Sequence, residues 1–278
     1  MPYITVGQEN SGDIELYYED HGAGKPIVLI HGWPLSGASW EKQVPALIDA
    51  GYRVITYDRR GFGRSSQPFS GYDYDTFAAD LQTILTTLDL REVGLFGFSM
   101  GGGEVARYLG KYGSERISKA GFFAAIPPFL LKGDDNPEGV DGAVFEGIQQ
   151  AISADRPAFL AQFLSNFFNV DILKGTRISD EAVQLSWNIA AQASPKGTLD
   201  CVSAWLTDFR ADLAKIDIPV LVIHGGADRI LPLAATGART HALIAGSDLL
   251  ILEDAPHGLN WTHAAEVNAK LLSFLAHS

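Results

Sequence analysis

One serine set between glycines could act as a nucleophile in this chain of 278 residues. Ser99 lies in the segment GFSMG (97–101), which matches the pattern G-x-S-x-G. An apolar run precedes the match and a helical pattern follows it, and a nucleophile elbow requires such a strand-to-helix turn. A glycine-rich turn that binds phosphate is the alternative. The spacing G-x-G-x-x-G is absent and no Gly-Lys-Ser/Thr follows, so the sequence does not favour nucleotide binding.

A serine hydroxyl becomes a good nucleophile only when a base takes its proton, and His257 is the predicted base. It lies in EDAPHGLNW (253–261), a loop directly after the last predicted strand. In the chain order Ser, acid, His, the base comes last. The other histidines precede Ser99, lie on predicted helices or strands, or end the chain: His21, His31, His224, His241, His263 and His277.

Asp228 is the predicted acid that orients the imidazole. It directly follows the strand pattern of VIHGGADRILP (222–232), so its carboxylate lies at a strand end beside the base. Asp254 is nearer to His257 in sequence, but it precedes the loop and would have to fold back. Asp58 ends another predicted strand, farther along the sheet.

Two backbone N–H groups are needed to hold the oxyanion that forms when an acyl carbon is attacked. One is the amide of Met100, the residue after the nucleophile, and the other comes from a loop that follows an earlier strand. The loop after IVLIHG (27–32) points to the amide of Trp33. His31 is expected to shape this loop as a structural residue.

The elements that must position these residues are short apolar strands separated by amphipathic helices, which predicts an α/β fold with a mostly parallel sheet covered on both faces. An antiparallel edge hairpin is expected around IELYYEDHG (14–22). Strands are predicted at 26–32, 52–58, 93–99, 119–125, 218–228 and 248–254, and helices at 39–50, 74–88, 101–112 and 262–276.

The alternation stops between about residues 126 and 215, where amphipathic helical segments follow one another with prolines between them. We therefore predict a helical cap at 126–215, inserted into a core formed by 1–125 and 216–278. Aromatic side chains of this cap are expected to face a substrate pocket, although packing between cap helices would use the same residues. They are Phe129, Phe163, Phe168 and Trp205.

Composition excludes several classes of function. Asp and Glu outnumber Lys and Arg by 33 to 21, and the net charge of −12 disfavours binding to nucleic acid or anionic membranes. The single cysteine, Cys201, permits no internal disulfide and is expected to be buried. No ligand set for a metal or haem is visible, nor a secretory signal or an apolar run long enough to span a membrane. We predict a cytoplasmic protein and leave open whether it is a homo-oligomer.

The motifs as a set resemble the α/β-hydrolase superfamily over essentially the whole chain. Within it they look like the cofactor-free bacterial haloperoxidases, also called non-heme chloroperoxidases, perhydrolases or arylesterases, a group that includes γ-lactamases. The segments are HGWP (31–34), DRRGFGRS (58–65), GFSMGGGE (97–104), HGGADRILP (224–232), APHGLNWTH (255–263) and, in the cap, DDNPEG (134–139).

The resemblance implies the α/β-hydrolase fold, a triad and oxyanion hole formed by the residues already singled out, and no cofactor. It also implies that Trp205 lines the acyl pocket. Members with proline after the oxyanion tryptophan tend to make peracids, and Pro34 occupies that position. Related families that hydrolyse haloalkanes or epoxides use an aspartate nucleophile, and Ser99 argues against both.

The expected function is that of a serine hydrolase, which acts through an acyl-enzyme on small carboxylic esters and forms peracids when peroxide replaces water. A γ-lactamase with the same triad is the alternative. A ligand-binding protein that has lost catalysis is a third interpretation, which the complete triad disfavours. The expected partner is a small acyl substrate: an ester, a lactam, or a short carboxylic acid with peroxide.

Overall fold

The computed structural model describes residues 2–277, and within that range eight strands form one sheet. No helix in this range combines the length and hydropathy needed to cross a membrane. The strands are β1 (Tyr3–Glu9), β2 (Gly12–Gly22), β3 (Pro26–Ile30), β4 (Arg53–Tyr57), β5 (Val93–Phe98), β6 (Ile117–Phe123), β7 (Val220–Gly225) and β8 (Asp248–Leu252).

The strand order is β1-β2-β4-β3-β5-β6-β7-β8, and every pair from β4 to β8 is parallel. Strand β2 runs antiparallel to both β1 and β4, which confirms the predicted edge hairpin. Strands β5 and β7 are buried along their whole length, because helices cover both faces of a parallel sheet. The predicted α/β class with a mostly parallel sheet is therefore confirmed.

The helices are α1 (Val44–Asp49), α2 (Tyr74–Thr87), α3 (Met100–Tyr112), α4 (Gly142–Phe167), α5 (Val170–Leu173), α6 (Asp180–Ala191), α7 (Pro195–Ala204), α8 (Arg210–Leu213), α9 (Gly237–Leu243), α10 (Leu259–Thr262) and α11 (Ala264–Ala276). Helix α3 begins directly after the nucleophile candidate, as the elbow pattern predicts. Cys201 of α7 is fully buried, and burial raises the pKa of its thiol.

Two predicted helices are broken in the structure. The helix expected at 39–50 is a 3₁₀ turn (Gly37–Trp40) followed by α1, which has Pro45 in its first turn. Proline has no N–H to donate and clashes with the turn before it, so a helix starts at this position rather than running through it. The helix expected at 262–276 is interrupted at His263, whose φ of −123° and ψ of 36° are not helical.

Five helices, α4 to α8, lie between β6 and β7. Helix α4 bends at Asp155, where φ is −156° and ψ is 87°, two residues before Pro157. The Asp155 Oδ1 atom accepts the N–H of Ala158 at 3.0 Å and so caps the second half of the helix. The two halves therefore point in different directions. The boundaries proposed for the core and the cap stay a prediction.

Candidate active site

The turn between β5 and α3 holds Ser99 in an unusual backbone conformation, with φ of 54° and ψ of −120°. A Cβ atom at Gly97 would lie 2.3 Å from the carbonyl oxygen of Gly101, and one at Gly101 would lie 2.5 Å from that of Ile30. Only glycine avoids these clashes. Positive φ at a serine costs free energy and persists where the surroundings enforce it, as at nucleophile elbows.

Ser99, His257 and Asp228 form a continuous hydrogen-bonded line. The Nδ1 atom of His257 lies 2.7 Å from Asp228 Oδ2, and its Nε2 atom lies 2.9 Å from Ser99 Oγ. A carboxylate can only accept, so Nδ1 carries the proton and Nε2 is free to accept the Ser99 hydroxyl proton. Both His257 and Asp228 are buried, and Ser99 is 7% exposed. The imidazole thus has the tautomer and orientation of a general base.

Asp228 is held as an anion. Its Oδ1 atom accepts the N–H groups of Ile230 and Leu231, each at 2.8 Å. Burial by itself raises the pKa of this carboxyl, but the facing histidines His257 and His224 outweigh it and hold the pKa well below its usual range. Asp228 can therefore balance the positive charge that develops on His257.

The other two candidate acids have different partners. Asp254 is 73% exposed and lies 3.3 Å from Nε2 of His263. Asp58 accepts the backbone N–H groups of Gly37 and Arg64, at 2.7 and 2.8 Å. Neither of these carboxylates is hydrogen-bonded to His257. The acid that contacts His257 is Asp228, which the sequence favoured.

The loop after β3 packs against the elbow, since a Cβ atom at Gly32 would lie 2.9 Å from Cβ of Ser99. Within residues 2–277 the N–H groups of Trp33 and Met100 donate to no protein acceptor. The Gly32 carbonyl, which shares a planar peptide with the Trp33 N–H, accepts from Leu35 N at 3.0 Å. Two backbone donors thus adjoin Ser99 without partners.

His31 completes the support of this loop. Its Nε2 atom accepts the N–H of Arg59 at 2.9 Å, so Nδ1 carries the proton and donates to the Gly32 carbonyl at 2.9 Å. Burial, together with the nearby Arg59 charge, holds the pKa of His31 well below its usual range. A neutral imidazole therefore pins the peptide that presents the Trp33 N–H, which is the structural role predicted for His31.

A cavity of about 370 Å³ adjoins Ser99. Both halves of the bent helix α4 line it, Phe145 and Ile148 before the bend and Phe159 and Phe163 after it. Its walls are mainly apolar, so the geometry suits an uncharged acyl group beside the Ser99 hydroxyl.

Three of the predicted pocket residues line this cavity: Trp33, Phe163 and Trp205. The Trp33 ring meets each of the other two edge to face, with ring centroids 5.0 Å apart. Its indole N–H donates to the carbonyl of Thr198 in α7 at 3.2 Å. The aromatic side chains of the insertion therefore hold the Trp33 indole in the cavity wall.

The other predicted pocket residues, Pro34, Phe129 and Phe168, do not line this cavity. Pro34 is buried but is not part of the cavity lining. The ring of Phe129 packs against the guanidinium of Arg210, 5.0 Å away, and does not line the cavity. Phe168 packs edge to face on Phe167 and lines a separate small cavity. A sequence pattern predicts that such side chains are buried, but it does not predict which cavity they line.

The α/β-hydrolase family model, described as "alpha/beta hydrolase fold", matches residues 25–264. The chain belongs to the α/β-hydrolase family. Among relatives of this α/β-hydrolase, a non-heme chloroperoxidase of Kitasatospora aureofaciens is 42% identical, with 99% of each chain covered. A bifunctional esterase/perhydrolase of Acinetobacter calcoaceticus is 32% identical over 99% of each. The crystal structure of a bromoperoxidase from Bacillus anthracis shares 53% identity and a TM-score of 0.95, with 99% of each chain covered.

The site of this α/β-hydrolase contains residues that sequence reasoning missed. The exposed residues that also line the cavity are Gln162, Asn166 and Arg229. The Arg229 guanidinium donates two hydrogen bonds to the carboxylate of Asp171 in α5, at 2.7 and 3.1 Å. Their polar type in a helical or loop segment is typical of any solvated surface. Only the fold shows that they share one cavity mouth.

A buried ion pair behind the site was also missed. Arg59, at the end of β4, donates to the His31 carbonyl at 2.8 Å and pairs with Glu104 of α3. The Tyr57 hydroxyl also donates to Glu104. The pair thus links the β4 end, the elbow helix and the loop that carries Trp33. The motifs DRRGFGRS and GFSMGGGE contain both residues, but motif matching alone assigned them no role.

Replacing Glu104 by glutamine is expected to destabilise the α/β-hydrolase by about 3–5 kcal/mol, because it leaves the Arg59 charge buried without a counter-ion. Urea unfolding followed by circular dichroism measures the change. Glu41→Gln is the matched control, since Glu41 pairs with Lys42 at the surface and such pairs contribute about 0–1 kcal/mol. Equal unfolding midpoints for the two variants would contradict the role given to the buried pair.

Proposed function

We propose that this α/β-hydrolase is a serine hydrolase that forms an acyl-enzyme on Ser99 from small carboxylic esters and passes the acyl group to water or hydrogen peroxide. The hydrogen-bonded line from Ser99 through His257 to Asp228, at the wall of an apolar cavity, carries the proposal. The relatives named as a non-heme chloroperoxidase and as an esterase/perhydrolase support both acceptors.

In the acylation step, His257 Nε2 takes the Ser99 proton as Oγ attacks the carbonyl carbon of the substrate. The developing oxyanion accepts the N–H groups of Trp33 and Met100, which need no reorganisation because they have no acceptor to give up among residues 2–277. The ionised Asp228 stabilises the imidazolium. That imidazolium then protonates the leaving alcohol, the tetrahedral adduct collapses, and an ester bond to Oγ remains.

In the second step, His257 takes a proton from the incoming acceptor as that acceptor attacks the acyl carbon. The bond from the acyl carbon to Oγ then breaks, and the imidazolium returns its proton to Ser99. Water yields a carboxylic acid. Hydrogen peroxide yields a peracid, and when the acyl donor is itself a carboxylic acid the by-product is water. The oxidising equivalent lies in the peroxide bond throughout, so halide is oxidised by the released peracid. In this scheme haloperoxidase activity is a consequence of acyl transfer.

We further propose that the helical insertion acts as a cap that sets which acyl groups fit. Cap residues form most of the cavity wall, whereas the core contributes the reacting groups. The γ-lactamase alternative would use the same triad, but neither the cavity nor the named relatives favour it. Loss of catalysis is disfavoured, because the reacting groups are in hydrogen-bonding contact. The cytoplasmic location and a homo-oligomeric state stay predictions.

A substrate panel under one condition tests the proposal. Phenyl acetate, a bicyclic γ-lactam, and acetate with hydrogen peroxide and bromide are compared at equal enzyme concentration. We expect ester hydrolysis, and bromination that requires acetate. Bromination at the same rate without any carboxylic acid would contradict the acyl-transfer scheme. Faster turnover of the lactam than of the ester would contradict the proposed ester substrates and favour cyclic amides instead.

Cavity size should control acyl-chain preference. Ala151 lines the cavity on α4, so Ala151→Phe is expected to lower kcat/KM for phenyl hexanoate relative to phenyl acetate by about tenfold or more. Ala154, one turn further along α4, lines a different, external groove, and Ala154→Phe serves as the matched control. Initial rates on the two esters give the ratio. A ratio that changes equally in both variants would show that this cavity does not bind the acyl chain.

A further inference from the structure

A second histidine lies against the triad acid. His224 is fully buried in β7, four residues before Asp228. Its Nε2 atom lies 2.9 Å from the carbonyl oxygen of Leu231 and 3.4 Å from Asp228 Oδ2. A carbonyl oxygen can only accept, so Nε2 carries the proton and donates it to the Leu231 carbonyl, with Asp228 Oδ2 next to the same N–H.

This imidazole and the carboxylate hold the same peptide segment. The Leu231 N–H donates to Asp228 Oδ1, and the Leu231 carbonyl accepts from His224. Leu231, at the end of the turn from Asp228 to Leu231, is thus held through both of its backbone polar groups. Asp228 binds its N–H, and His224 of the preceding strand binds its carbonyl. The same turn places Ile230 and Leu231 in the cavity wall.

Packing alone does not account for a histidine here. With Nε2 protonated, Nδ1 is an acceptor, and within residues 2–277 it has no hydrogen-bond partner. A Cβ atom at Gly237 of α9 would lie 2.6 Å from it, so the helix closes this side of the ring. Buried polar atoms are normally paired, and an apolar side chain would fill the strand position without an unpaired acceptor.

Few charged groups in the described part of the chain face the His224 ring. On β8 its neighbour is Ile251, and α9 approaches with Gly237. Arg229, the next residue on the turn, pairs with Asp171 at the surface. Among residues 2–277, the titrating groups that face His224 are therefore Asp228 and, beyond it, His257, whose other ring nitrogen faces Ser99.

We propose that His224 is a positioning residue of the triad: its Nε2–H fixes the turn that presents Asp228 and shares the negative charge of the carboxylate with His257. This inference rests on the proposed function, since it concerns the same reaction. Without the His224 dipole, the Asp228 anion is less stabilised and holds the proton of the His257 imidazolium more strongly. The neutral base then forms only at higher pH, so the acid limb of the rate profile moves up in pH.

The test compares His224→Phe, which removes the donor, with His224→Gln, whose side-chain nitrogen can reach the same two acceptors. For His224→Phe we expect kcat for phenyl acetate to fall by about ten- to a hundredfold, with KM little changed and the acid limb of kcat/KM at higher pH. His224→Gln should restore most of the rate and the position of the limb. His263→Phe, at another fully buried histidine, is the control expected to keep wild-type values.

A second readout needs no turnover. The proton between His257 Nδ1 and Asp228 gives a downfield NMR signal whose pH titration reports the imidazole directly. In folded His224→Phe, or in His224→Leu if the phenylalanine variant does not fold, the titration midpoint should move to higher pH, and in His224→Gln it should stay. A wild-type midpoint and wild-type kcat in the donor-free variants would overturn the inference and leave His224 a packing residue. An inactive wild-type enzyme would contradict the proposed function, while the NMR titration would still decide on His224.

Discussion

Replacing Ser99 by alanine is expected to lower kcat for phenyl acetate by about 10⁵- to 10⁶-fold, the largest effect of any single substitution proposed for this protein. The change removes the atom that forms the acyl-enzyme. His257 and the amides of Trp33 and Met100 remain, but they can then assist only direct attack by water. Steady-state rates measure the loss, and intact-mass spectrometry after treatment with a serine-reactive phosphonate shows whether the acyl site has gone.

Ser118→Ala provides the matched control, since the Ser118 hydroxyl is exposed on β6 and donates to the carbonyl of Glu92. It should retain both wild-type activity and the phosphonate adduct. Substantial activity in a folded Ser99→Ala enzyme, or an unchanged adduct mass, would place the nucleophile elsewhere and overturn the central proposal.

Replacing Asp228 by asparagine is expected to lower kcat by about 10⁴-fold with little change in the fold. The Asn side chain offers an amide N–H to His257 Nδ1, which then becomes the acceptor. The ring proton moves to Nε2, and the base presents a donor instead of a lone pair to the Ser99 hydroxyl. The pH dependence of kcat/KM and the rate on phenyl acetate measure the effect.

Asp254→Asn is the informative comparison, because Asp254 is the acid nearest to His257 in sequence. Its carboxylate is mostly exposed and faces His263 instead, so this variant should keep its activity. If Asp254→Asn were the more damaging of the two, the acid would have been wrongly assigned.

Most of the fold could be predicted because its signals are local. Continuous apolar runs mark buried strands and helical spacing marks their cover, and the observed strands agree with the predicted ones to within a few residues. The broken helices at Pro45 and His263 show the limit. Pro45 is a local signal for the first break, whereas neither a proline nor a glycine stands at His263 to mark the second.

The residues of the site likewise fall into two groups, those with a local sequence signal and those without one. Ser99, Asp228 and His257 each follow a strand pattern, so their positions at strand ends could be predicted one at a time. His224, Glu104 and Gln162 have no such signal, because a buried imidazole, a helix carboxylate and a surface amide are common in any α/β protein. Their importance depends on neighbours that are distant in sequence.

By itself, the sequence determined the class of fold, the elbow glycines, and the order nucleophile, acid, base along the chain. The tertiary structure decided which nitrogen of His257 faces Ser99, that Trp33, Phe163 and Trp205 share the cavity while Phe129 does not, and that His224 contacts the acid. The reason is physical. Local patterns report backbone conformation and burial, whereas hydrogen bonds between β5, β7 and the loop after β8 depend on strand order and packing, which bring together residues more than a hundred positions apart.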